Sequence, residues 1–67
     1  FDTAAERARL GKLIADAEAE AGRIDAKLGN EQFRAKAPEK VVAAEEERLA
    51  AVRARLDGLR AGLAELG

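Results

Sequence analysis

The sequence predicts an all-α protein: an antiparallel two-helix coiled-coil hairpin with a structured tip loop. Three observations predict it. Two long segments are rich in Ala, Leu, Glu and Arg, the residues that favour helices most. In each of them the bulky apolar residues recur at alternating four- and three-residue steps, the heptad signature of a seam packed on another helix. Between them lies Lys27-Leu28-Gly29-Asn30-Glu31-Gln32-Phe33-Arg34-Ala35-Lys36-Ala37-Pro38, which holds the only proline, the only Asn, the only Gln and one of the two Phe residues.

The first helix is predicted over about residues 3–28, with Asp2 or Thr3 as its amino-terminal cap. Its seam reads Leu10, Ile14, Ala17, Ala21, Ile24 and Leu28. Gly29 follows as a natural carboxy-terminal stop. The tip is predicted over about residues 29–37. The second helix is predicted over about residues 38–66, with Pro38 at its first position, where a missing N–H costs nothing. Its seam reads Val42, Leu49, Val52, Leu56, Leu59, Leu63 and Leu66, with Glu45 where the pattern asks for a hydrophobe. Each helix spans roughly 40 Å. The short linker makes the two helices antiparallel neighbours within one chain rather than halves of a dimer. A monomer is expected.

Facing Leu10 with Leu63, Ile14 with Leu59, Ala17 with Leu56, Ala21 with Val52 and Ile24 with Leu49 makes every layer apolar. That register places Glu18 near Arg53 and Glu20 near Arg55. It also sets Lys27 against Arg48 on one flank and Asp25 against Glu46 on the other. Glu45 falls beside Leu28, where its carboxylate can accept hydrogen bonds from backbone N–H groups of a turn at Asn30 to Phe33. The alternative leaves Glu45 as a seam defect pointing to water. Phe33 is expected to fold onto Val41 or Val42 as the plug of the tip. Stacking of Phe33 on an exposed base stays open as a second role.

Composition excludes a good deal. Sixty-seven residues make at most one small domain or a piece of a larger chain, and a start at Phe1 without an initiator Met points to a fragment or a processed product. The chain has no His, Cys or Ser, so no familiar nucleophile–base pair and no ordinary zinc site can be assembled. No catalytic, cofactor-binding or metal-ligating residue is expected. No apolar run approaches the roughly 20 residues of a membrane span. The absence of cysteine accords with a reducing compartment, and a cytoplasmic location is expected. Twelve basic and 13 acidic residues give a net charge of −1, so any contact with nucleic acid depends on local segregation of charge. Such segregation is expected near the tip, in Arg23, Lys27, Arg34, Lys36, Lys40 and Arg48. A second basic group, Arg7, Arg9 and Lys12, lies at the open end. Ordinary solubilising charge is the competing explanation for both groups, and the stronger one at the open end, which a connected domain would neighbour.

Leu28-Gly29-Asn30-Glu31-Gln32-Phe33, Lys36-Ala37-Pro38, Val41-Val42 and Glu45 together resemble the motif of the carboxy-terminal tRNA-binding arm of valyl-tRNA synthetases. Asp2-Thr3-Ala4-Ala5-Glu6-Arg7-Ala8-Arg9-Leu10 is similar to the usual start of that arm, so the resemblance covers essentially the whole chain. It implies an autonomous helical hairpin at the end of a large class I, ATP-dependent valine–tRNA ligase. It implies an arm that leans on the outer corner of tRNA without catalysing aminoacylation, with tRNA and the rest of the synthetase as partners. Asn30, Phe33, Pro38, Val42 and Glu45 are then the structural residues of the tip, and the six basic residues are the candidates for RNA. The alternative function is a coiled-coil hairpin that docks on another protein.

Overall fold

A computed structural model of the protein describes residues 2–66. The elements are α1 (Thr3–Leu28), α2 (Glu31–Lys36) and α3 (Glu39–Leu66), and no strand occurs among the described residues. Asp2 starts α1: its backbone is extended, and its carboxylate accepts from the N–H groups of Ala4 and Ala5 at 3.1 and 3.2 Å. That satisfies two of the donors a helix start leaves orphaned.

The stop after α1 works differently from the glycine signal. Gly29 keeps a right-handed backbone (φ −81°, ψ −8°), and its N–H closes on the Asp25 carbonyl at 2.9 Å. The chain leaves the helix one residue later, where Asn30 turns to an extended conformation. Asn30 then caps α2, its side-chain oxygen accepting from Gln32 N–H at 2.9 Å and Phe33 N–H at 3.3 Å. The tip therefore contains a short helix rather than a loop with a single turn. Ala37 ends α2 in an extended conformation (ψ 136°), the region to which a following proline confines its neighbour.

Pro38 sits one position earlier than expected. Its carbonyl accepts from Val41 and Val42 N–H at 2.9 and 3.1 Å, so it is the cap of α3, and Glu39 is the first helical residue. The i to i+4 bond to Val42 makes the difference, because a residue whose carbonyl takes the first helical bond stands half outside the helix.

α1 and α3 run in opposite directions along an elongated body of 51 × 14 × 12 Å. Arg7, near the start of α1, donates to the Leu66 carbonyl at the end of α3 at 3.1 Å. Lys27, at the end of α1, reaches Glu45 near the start of α3. Both contacts keep the stagger that aligns Leu10 with Leu63 and Ile24 with Leu49. The buried residues are Leu10, Ala17, Ile24, Leu28, Leu49, Val52 and Leu56, with Ala17 wholly enclosed. Ile14, Ala21, Phe33, Val42 and Leu59 are partly buried against them. Phe33 and Val42 thus join one apolar cluster, whereas Val41 is 42% exposed.

The ion pairs along the seam differ from those expected. Glu18 pairs with Arg60 at 2.7 Å, and Asp25, not Glu18, takes Arg53 at 3.6 Å. On this flank the pairing is displaced by one heptad. Helical side chains lean toward their own amino terminus, so in opposed helices Glu18 and Arg60 lean toward each other. Asp25 consequently faces a cation rather than Glu46. On the other flank Arg48 pairs with Glu20 at 3.1 Å, where Arg55 was expected. Glu20 and Glu45 thus each supply a counter-charge to one of the two cations, Arg48 and Lys27, that were expected to face each other.

Candidate nucleic-acid interface

The six basic candidates fall into two groups. Arg34 and Lys36 are carried by α2, and Lys40 by the first turn of α3. Arg23, Lys27 and Arg48 line one notch between α1 and α3, together with Glu20, Ile24 and Glu45. Lys36 lines a separate shallow groove at the tip with Asn30, Gln32, Phe33 and Ala37. Lys40 lines neither.

Three of the six are engaged within the chain. Arg34 Nε donates to the Leu28 carbonyl, placing a cation on the negative carboxy-terminal end of α1. Lys27 Nζ lies 3.4 Å from a Glu45 oxygen and 5.7 Å from the centre of the Phe33 ring. Arg48 holds Glu20. Such exposed pairs contribute only about 0–1 kcal/mol and exchange readily. Arg23, Lys36 and Lys40 are exposed and have no ion pair among the described residues. At the open end Arg7 is spent on the Leu66 carbonyl and Arg9 on Glu6, which leaves Lys12.

Glu45 does not cap the turn. Asn30 already fills that role, and the Glu45 carboxylate is instead held by Lys27 through one oxygen. Its other oxygen, Oε2, is buried without a hydrogen-bond partner. Sequence reasoning named the cations of the notch, but it gave Glu45 a capping role and Glu20 to Arg55, and did not place either carboxylate among those cations. A usable signal existed: Glu20 and Lys27 are one heptad apart and share a stripe of α1.

The arrangement can hold anions. It presents unneutralised Lys36 and Lys40 beside the tip, and Arg23 beside two exchangeable pairs, on a rigid pair of helices. None of the described side chains forms a nucleophile–base pair.

Comparison with known proteins converges on one family. Residues 2–67 match the family model described as the valyl tRNA synthetase tRNA binding arm. Among curated proteins, the valine–tRNA ligase of Agrobacterium fabrum is 53% identical over 62 residues, covering 92% of this chain. The valine–tRNA ligase of Caulobacter vibrioides is 45% identical over 70 residues and covers the entire chain. That of Streptomyces coelicolor is 60% identical over 42 residues, or 63% of the chain. The chain spans only 6%, 8% and 5% of these relatives' own lengths. No solved structure gives a significant match. On these matches the chain belongs to the valyl-tRNA synthetase tRNA-binding arm family.

Proposed function

We propose that residues 1–67 are a noncatalytic tRNA-binding arm, an antiparallel coiled-coil hairpin projecting from a larger, cytoplasmic, class I valine–tRNA ligase. Its tip rests on the outer corner of tRNA and binds phosphate groups. The observation that carries this reading is the match of residues 2–67 to a tRNA-binding arm. The geometry supports it. Lys36 and Lys40 stand exposed beside the tip without carboxylate partners, where a phosphate backbone supplies the missing anions. Asn30 and Pro38 cap the helices on either side of the bend, and Phe33 anchors α2 to the apolar cluster, so the cations are presented on ordered backbone. Aminoacylation belongs to the rest of the synthetase, and the arm adds capture of tRNA.

Salt dependence tests the reading. Affinity for tRNA should be measured for the synthetase with and without these residues across a salt series. Phosphate contacts release counterions, so the arm should add to both affinity and the slope of log affinity against log salt. An arm that docked on protein would leave that slope unchanged. The isolated chain should sediment as a monomer at micromolar concentration. A tight, concentration-dependent dimer would mean that the seams pair between chains.

A further inference from the structure

The notch between α1 and α3 has a volume of about 190 Å³ and five charged residues on its walls. Arg23, Lys27 and Arg48 stand against Glu20 and Glu45, three positive charges against two negative, an excess of +1. The excess is localised. Glu45 takes Lys27, Glu20 takes Arg48, and Arg23 is left without an ion-pair partner among the described residues. Arg23 and Lys27 are one turn apart on the same helix face, so both can approach one anion.

The two carboxylates are not equivalent. The Glu45 side chain is only 17% exposed and belongs to the seam. Glu20 lies at the mouth, 26% exposed, and its partner Arg48 is 61% exposed. An anion entering the notch meets Arg23 directly and competes with Glu20 for Arg48.

The groove on the opposite flank lacks that excess. The groove there is lined by Arg53 and Arg60 against Glu18 and Asp57, two positive charges against two negative, and Asp57 has no ion pair among the described residues. The two grooves therefore differ in charge, although the net charge of the chain is nearly zero.

We infer that the notch is a phosphodiester site which sets the side of the arm that faces RNA, with Arg23 as its anchor and Glu20 as a built-in competitor for Arg48. The inference rests on the reading of the chain as a tRNA-binding arm. Glu20 keeps Arg48 folded down while the arm is empty and yields it when the backbone arrives, at the expense of affinity.

The test uses the synthetase that carries the arm, with tRNA affinity measured across a salt series. The variants are Arg23→Gln, Glu20→Gln, Asp57→Asn on the far side, and the tip pair Lys36→Gln with Lys40→Gln. Losing Arg23 should weaken binding about threefold and lower the salt slope by about 0.7–0.9, the signature of one phosphate contact. Glu20→Gln should tighten binding about twofold or more by freeing Arg48 for the backbone. Asp57→Asn should change nothing. Neither Arg23 nor Asp57 holds a partner, so neither change disturbs the fold, and unaltered thermal melts should show it. Unchanged affinity in Arg23→Gln, weaker binding in Glu20→Gln, or equal tightening in Asp57→Asn overturns the notch as a site. If the tip pair still weakens binding in that case, the arm reading stands and only the notch falls. If the tip pair is silent as well, both fall together.

Discussion

Lys27 spans the junction of α1 and α3 with its ammonium 3.4 Å from a Glu45 oxygen and 5.7 Å from the centre of the Phe33 ring. One side chain thus touches all three helices just where the chain reverses. The contact explains how a carboxylate survives at a seam position. Lys27, 47% exposed, supplies a partly solvated counter-charge to one oxygen, and the second oxygen is left buried without a donor.

That imbalance makes Glu45 a weak point of the seam. Glu45→Leu removes an unsatisfied buried acceptor, which costs about 1–3 kcal/mol, and adds an apolar side chain to the layer of Leu28. The variant should be more stable by about 1 kcal/mol or more, since Lys27 can turn to water. Thermal or denaturant unfolding of the isolated chain measures it. A lower melting temperature would show that the Lys27 pair matters more than the orphaned oxygen.

The tip depends on Asn30 and Phe33. Asn30→Ala removes the acceptor for two N–H groups of α2 and should cost about 1 kcal/mol. Phe33→Ala should cost roughly 2 kcal/mol, below the usual 3–5 for an aromatic in a core, because the ring is only partly buried. Hydrogen exchange should accelerate at residues 29–42 first in both variants and leave the middle of α1 and α3 protected. Equal acceleration along the whole chain would mean that the tip does not unfold as a separate unit.

Glycine accounts for stability lost elsewhere. A Cβ built at Gly11, Gly22 or Gly58 meets no heavy atom within 4 Å. Alanine at each of these helical positions should therefore stabilise the chain by about 0.4–1 kcal/mol, chiefly by restricting the unfolded state. The triple variant should show near-additive gains in denaturant midpoint. A loss at any of the three would mean that the added methyl group does not stand in open space in the folded chain.

The long helices were legible because their ends carry chemistry. Asp2 is a capping acid, Gly29 and Pro38 bracket the bend, and the leucine and isoleucine seams have a clear period. α2 was hidden because its six residues are too few to show a period, and Asn30 was read as part of a turn when it is a helix cap. The seam alignment followed from bulk, since the slip that sets Ala21 against Glu45 and Arg7 against Leu59 breaks the apolar layers. The partners of the flanking charges did not follow. Arginine is long enough to choose between carboxylates a heptad apart, as when Glu20 pairs with Arg48 and not with Arg55. The candidate basic residues could be named from sequence, but which of them are already neutralised required three dimensions.

The central claim is that the tip captures tRNA through its backbone phosphates. The most direct measurement is tRNA affinity of the parent synthetase carrying Lys36→Gln and Lys40→Gln, followed across a salt series and with more than one anticodon sequence. Both residues are exposed and unpaired in this structure, so their loss should leave the melting temperature unchanged. Affinity should fall, the salt slope should drop by about 0.7–0.9 for each lost contact, and the loss should not depend on anticodon sequence. Amino-acid activation without tRNA should be unaffected. Unchanged affinity and an unchanged slope would contradict the account and move the contact to the notch, to the open end or to a protein partner.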